Sequence, residues 1–233
     1  MSVLTHLVFI YVCVVMPWVG RIKYARLKTD LEAGHNEARL RFYWRTLLQQ
    51  AALTLAVIAI WGFGIASRSA LGLVAPQEWS MTTSLVGTVL LGVVASVFIF
   101  RRAGTGQLKR LMKMAGALIP VTSLERRVFS GLAVGAGISE ELAFRGFLLF
   151  YLNHYFPQLN YLLLGLISSL IFGICHIYQG WRGILLTALV GFSFFFIYTA
   201  TGSLVAPILV HAAIDLRLLL ILTPARLHSL QEA

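Results

Sequence analysis

This sequence is short of charge. Only 12% of its 233 residues are Asp, Glu, Lys or Arg, about half the share that a soluble domain carries. Such a chain cannot clothe itself in a solvated surface, which excludes an ordinary water-soluble enzyme. Acids are scarcer still, 9 against 19 Lys and Arg, for a net charge of +10. The excess does not gather in a separate basic domain, so nucleic acid is not expected as a partner. Cysteine is nearly absent. Cys13 and Cys175 lie singly in apolar runs without CxxC spacing, which excludes a disulfide framework or zinc knuckle and leaves two small hydrophobes. No repeat, low-complexity tract or linker is visible, so a single integral-membrane domain over 1–233 is expected, and an inverted-repeat transporter gains no support.

What is there is apolar. Hydrophobic residues make up 58% of the chain, and the mean hydropathy is +0.82. A helical span needs about 20 mostly apolar residues. Seven segments qualify, near 2–20, 46–66, 81–100, 128–152, 159–178, 184–201 and 204–222. The predicted fold class is therefore all-α, a polytopic transmembrane helical bundle of about seven spans. An eighth would be added if residues 103–120 dip into the interface. The first run, MSVLTHLVFIYVCVVMPWVG, lacks a basic leader and a small-residue cleavage site, so it reads as a retained span.

Basic residues then set the orientation. The stretch 21–45 carries seven Lys and Arg, and 101–127 carries seven more, whereas 67–80 has only Arg68 and 153–158 has none. Positive charge marks the cytoplasmic face. The N-terminus is expected outside and the tail, with Arg226, in the cytoplasm. The basic stretches read as amphipathic helices against anionic lipid on the cytoplasmic side.

Ionisable residues inside a span are expensive and mark function by default. Glu140, Glu141 and Arg145 fall inside GLAVGAGISEELAFRGFLLFYL, and Asp215 and Arg217 inside the last span, with His176 and His211 nearby. Residues four apart share a helix face. Glu141 and Arg145 should therefore pair, as should His211 and Asp215. Glu140 points about 100° away from its neighbour and is left without a local partner. Arg217 reads as a residue reaching toward headgroups, and His154 as a turn residue. Gly131 and Gly135, and Gly165, Ser169 and Gly173, form small-residue ladders that let helices pack closely. A glutamate and a histidine can share a water and take its proton, and a histidine on another helix can donate to an oxyanion. That equipment suits hydrolysis of an acyl bond. There is no GxSxG, and Cys175 projects away from His176. Zinc at Glu140, His176 and His211 is kept as an alternative, although HExxH is missing. A proton-coupled transporter, or a membrane scaffold with no chemistry, would also explain buried Glu and His.

Three motifs occur in order: EELAFRG at 140–146, FGICH at 172–176, and TGSLVAPILVHAAID at 201–215. They resemble EExxxR, FxxxH and HxxxN/D of the intramembrane CAAX-processing and bacteriocin-self-immunity (CPBP, or Abi) proteases. The resemblance covers 125–222. It implies a metal-independent glutamic endopeptidase without cofactor, acting on a peptide or lipidated protein, with a site opening to the cytoplasm. By resemblance, Glu140 is the general base, His176 assists it, and His211 and Asp215 stabilise the oxyanion, with Glu141 and Arg145 in support. The compact chain looks more like a bacterial inner-membrane member, and an inactive immunity protein of the same fold is the alternative. Eukaryotic members carry asparagine at the position of Asp215. An ionised Asp cannot donate, so Asp215 is expected to orient and charge His211, which donates alone. By residue count Glu140 lies about twelve residues, roughly 18 Å, into its span, whereas His176 lies near the inner end of the next. They meet only if the fourth helix begins in the cytoplasm or the helices tilt.

Overall fold

The computed structural model describes residues 1–108, 112 and 116–232, the side chains of 228 and 230–232 excepted. The segment 103–120, the candidate for an eighth span, contains 109–111 and 113–115, which lie outside the described residues. Within them the chain is all-helical, without a strand. Helix α1 (Val3–Ile10) passes through a π-helical stretch (Tyr11–Val15) into α2 (Met16–Glu32). A short turn leads to α3 (Ala38–Gly62), followed by α4 (Trp79–Arg101). Helix α5 (Ser123–Glu141) continues through a second π-helical stretch (Leu142–Leu148) into α6 (Leu149–Tyr155). Then come α7 (Tyr161–Cys175), α8 (Gly180–Thr201), α9 (Val205–Ile221) and α10 (Pro224–Glu232).

The helices start where the sequence supplies caps. The Thr122 hydroxyl accepts from Glu125 N at 3.1 Å, while the Glu125 carboxylate accepts from Thr122 N at 2.9 Å. This reciprocal box satisfies two orphan amides at once. Asn160 opens α7 by accepting from Leu162 N at 2.7 Å. Gly202 closes α8 in the left-handed conformation, φ 63°, where a side chain would be strained.

Among the described residues, three helices are long and apolar enough to cross a membrane: Val3–Glu32, Trp79–Arg101 and Ile177–Thr201. Of the other expected spans, α7 is apolar but only 15 residues long, and α3, α5 and α9 carry charges. The stretch 21–45, expected as a loop with helical character, is almost entirely helix: α2 runs on to Glu32 and α3 begins at Ala38. Lys, Arg, Glu and Leu are good helix formers, so nothing in that stretch stops the first helix where its apolar run ends.

Large apolar side chains remain on the outside, among them Leu91, Phe98 and Ile99 of α4. A face of that size is unstable in water and at home in lipid. The interior centres on the π-helical stretch, whose seven residues Leu142–Leu148 are all buried. Helices α3 and α9 pack on α5, and α8 packs on α7. Close approach is made by Gly173, where a Cβ would lie 2.5 Å from Ile184 O of α8, and by Gly137, 2.9 Å from Ile208 O of α9. The ladder on α7 thus faces α8. On α5 half of the expected Gly131/Gly135 pair makes a close contact: a Cβ at Gly135 would lie 2.5 Å from Gln50 Oε1 of α3, whereas Gly131 faces open space and Gly137 lets α9 in.

Candidate active site

Two glutamates close α5, and the π-helical stretch that follows changes the angle at which the chain leaves them. A π turn inserts an extra residue and frees a carbonyl, a feature frequent at functional sites. Here the Phe144 carbonyl accepts from Ser168 Oγ of α7 at 3.0 Å.

The four-residue spacing of Glu141 and Arg145 produces the pair it predicts. Arg145 Nη1 donates to Glu141 Oε1 at 2.9 Å, with both side chains buried. Arg145 Nη2 donates to Gly191 O of α8 at 2.6 Å, and the guanidinium lies 4.6 Å from the ring centre of Phe172 and 5.3 Å from that of Phe194. A buried cation is tolerable only when paired, hydrogen-bonded and packed. All three conditions are met.

Glu141 has a second task. Its Oε1 also accepts from His211 Nδ1 at 2.8 Å. A carboxylate offers only acceptors, so the proton is assigned to Nδ1 and Nε2 points the other way. The imidazole is further held by stacking on Phe194, centroids 4.9 Å apart. Asp215 was expected to orient and charge His211. Glu141 holds Nδ1 and so sets the orientation of the ring, whereas Asp215 Oδ2 lies 3.7 Å from Nε2, within ion-pair distance on the open side. Sequence spacing pointed to the i,i+4 neighbour; a helix crossing supplied a closer partner.

Glu140 is different from its neighbour. Its Oε2 is buried, has no hydrogen-bond partner, and stands 3.8 Å from His211 Nε2. His176 terminates α7, and its Nδ1 donates to the Phe172 carbonyl at 2.9 Å, which in the neutral ring leaves Nε2 as a free acceptor. Glu140, His176, His211 and Asp215 all line one cavity of about 440 Å³, with Glu141 and Arg145 behind its wall. Among the described residues no group of three or more His, Cys, Asp or Glu has the arrangement of a metal site.

The depth problem resolves through helix length. Helix α5, the π-helical stretch and α6 contain 19, 7 and 7 residues in succession, roughly 50 Å of helix against about 30 Å of hydrocarbon. Such a helix is long enough for its first turns to stand outside the hydrocarbon, and Glu140 and His176 line one cavity.

The cavity also has a wall that the motifs did not announce. Lys23, Tyr24, Gln49 and Gln50, from α2 and α3, line it together with Tyr178. Lys23 Nζ donates to Gln49 Oε1 at 2.5 Å, and Gln50 Oε1 is buried without a partner. The signal was present: QQ interrupts the apolar run TLLQQAALTLAVIAI, and paired amides inside a span raise the same question as charges do. Arg217 lies on the cavity wall, and His154 sits in the last turn of α6 against Tyr155.

Residues 123–217 match the family model described as type II CAAX prenyl endopeptidase Rce1-like. Over this segment the chain is similar to the Rce1-like CAAX endopeptidases. All four cavity-lining candidates and the Glu141–Arg145 pair fall inside the Rce1-like segment, whereas Lys23, Gln49 and Gln50 fall outside it. Comparison with curated proteins gave no match, and comparison with solved structures gave none.

Proposed function

We propose that the chain is an intramembrane glutamic endopeptidase that needs no metal and hydrolyses a peptide bond at the cytoplasmic side of the membrane. The observation that carries this reading is the unpartnered Glu140 Oε2, buried beside the outward-facing nitrogen of His211 in a cavity shared with His176 and Asp215. Groups 3.7–3.8 Å apart are too distant to bond each other yet can share one bridging atom about 2.8 Å from each. A water or carbonyl oxygen is such an atom.

In the proposed step, Glu140 takes a proton from a water that also donates to His176 Nε2. The water oxygen attacks the scissile carbonyl. The resulting oxyanion accepts from His211, which donates from Nε2 as an imidazolium while Glu141 holds Nδ1. Asp215, an acceptor while ionised, balances that imidazolium. When the tetrahedral intermediate collapses, the C–N bond breaks and Glu140 returns its proton to the leaving amine. The acyl half departs as a carboxylic acid. Apolar walls from Phe129, Leu132, Leu186 and Val190 suit a substrate with an apolar or lipid-modified residue beside the cleaved bond. With the basic stretches in the cytoplasm, seven spans place the N-terminus outside and the cavity mouth, near Lys23, Tyr24 and Leu118, inside the cell. For a bacterial chain this is the inner membrane.

The test compares cells expressing the wild-type chain with cells expressing Glu140→Gln at matched abundance, with new protein termini mapped by mass spectrometry. Termini generated only by wild type are expected, and they identify the substrate. Identical terminomes under several growth conditions would overturn the peptidase in favour of a scaffold. Cleavage lost to a chelator and restored by zinc would overturn the metal-free step.

A further inference from the structure

A second, smaller cavity of about 140 Å³ adjoins the first, and the chemistry of its walls is different. Lys23, Arg26, Arg41 and Arg45 line it, with Asp30 as its one acid. Asp30 lies 4.0 Å from Arg41, which also meets Glu37 at 3.8 Å. Among the described residues, Arg26 and Arg45 stand in no ion pair. Cations converging on one concavity repel each other unless an anion joins them.

The layout along the two helices says what kind of anion. On α2, Trp18, Ile22 and Arg26 follow at four-residue spacing, and Lys23, Arg26 and Asp30 form the neighbouring stripe. On α3, Arg41, Trp44, Arg45 and Leu48 share a face. The chain reverses between the helices, so both place their cations toward the turn and their apolar residues away from it. Trp18, Ile22, Trp44 and Leu48 are exposed. Tryptophan at this level is the usual mark of a membrane–water interface. Cations above an exposed apolar face fit a molecule with an anionic head and hydrocarbon tails; free phosphate would use only the upper half.

We infer that the groove between α2 and α3 binds the phosphate-bearing headgroup of an anionic phospholipid, held by Arg26 and Arg45 and by Lys23 and Arg41 beside them. Lys23 and Phe42 line both cavities, so the bound headgroup forms part of the rim of the larger one. The inference rests on the membrane placement proposed above and not on the catalytic roles.

The full chain is reconstituted in vesicles of phosphatidylcholine and phosphatidylglycerol carrying a photoactivatable probe of either lipid, and adducts are located by peptide mapping. Phosphatidylglycerol adducts are expected within residues 18–48, roughly tenfold over phosphatidylcholine at equal probe content, as Lys and Arg clusters at a membrane surface favour anionic lipid. Arg26→Gln with Arg45→Gln should bring that ratio close to one. Arg102→Gln with Arg182→Gln, an equal charge loss elsewhere, should leave it unchanged. Equal labelling by both lipids, adducts spread over other segments, or the same fall in the control variant would overturn the inference. Displacement of the probe by inorganic phosphate would convict a free-phosphate site and overturn the lipid assignment. If the double variant aggregates, the wild-type ratio and adduct positions decide alone. The Glu140→Gln chain should label as wild type does, which separates this result from the fate of the peptidase reading.

Discussion

Two adjacent carboxylates with opposite surroundings make a sharp comparison at the scale of single residues. Glu141 accepts from Arg145 and His211 together. Its replacement by Gln leaves a buried guanidinium without a counter-charge, which costs about 3–5 kcal/mol when one partner of a buried pair is removed. Glu140 Oε2 accepts from nothing. Gln at 140 therefore breaks no hydrogen bond and should change stability by less than about 1 kcal/mol. Thermal unfolding in detergent checks both: a large fall in Tm for Glu141→Gln, and near-identity with wild type for Glu140→Gln. Cleavage should be lost in both, but for different reasons. Glu140→Gln loses it at full abundance, because the amide cannot take a proton from water. Equal destabilisation by the two substitutions would mean that Glu140 has a structural partner after all.

Among the elements, the pairing of α5 with α9 matters most, since α9 carries His211 and Asp215. A Cβ at Gly137 would lie 2.9 Å from Ile208 O and 3.1 Å from Ala212 N, both backbone atoms. Gly137→Ala should push α9 outward by a few tenths of an ångström and lower kcat about tenfold or more, since small misplacements of reacting groups are costly. Gly131→Ala meets open space and should raise stability by up to about 1 kcal/mol through helix propensity. Kinetics and unfolding of the two purified variants test this; the reverse result would put the helix contact at Gly131. GxxxG spacing alone pointed to Gly131 as well as Gly135 and passed over Gly137, which shows where sequence reading runs out. Helix order, the burial of Glu141, Arg145 and His211 and the half-burial of Glu140 and His176 were legible because charge in an apolar helix has few innocent explanations. The partner of His211 was not, because it depends on how α9 crosses α5. The π-helical stretch was not, because Leu142–Leu148 has the composition of any buried helix. The continuation of α2 through the basic stretch was hidden because its residues suit a helix and a solvated connection equally.

Among the described residues, the stretch 21–45, residues 116–118 of the second basic stretch, the cavity wall and the proposed lipid groove meet at one end of the molecule. Lys23, Tyr24 and Leu118 border the cavity, and Lys23 is shared with the groove. If positive residues stay in the cytoplasm, this end is cytoplasmic and the turn near Ser69 is outside. Cysteines placed at the exposed positions Thr29 and Ser69 test it. The native chain serves as the blank, because Cys175 is buried and Cys13 half-buried. An impermeant maleimide applied to intact cells should label Ser69→Cys at once, and Thr29→Cys only after permeabilisation. The opposite pattern would turn the cavity mouth outward, and the proposed substrate would then have to be an exported chain. With the expected pattern, the scissile bond must arrive from the cytoplasm, past the cationic rim. A bound anionic headgroup would stand at that entrance. Substrates carrying positive charge near the cleaved bond should then be cut faster in phosphatidylglycerol vesicles than in phosphatidylcholine alone, and that preference should disappear when Arg26 and Arg45 are replaced by Gln.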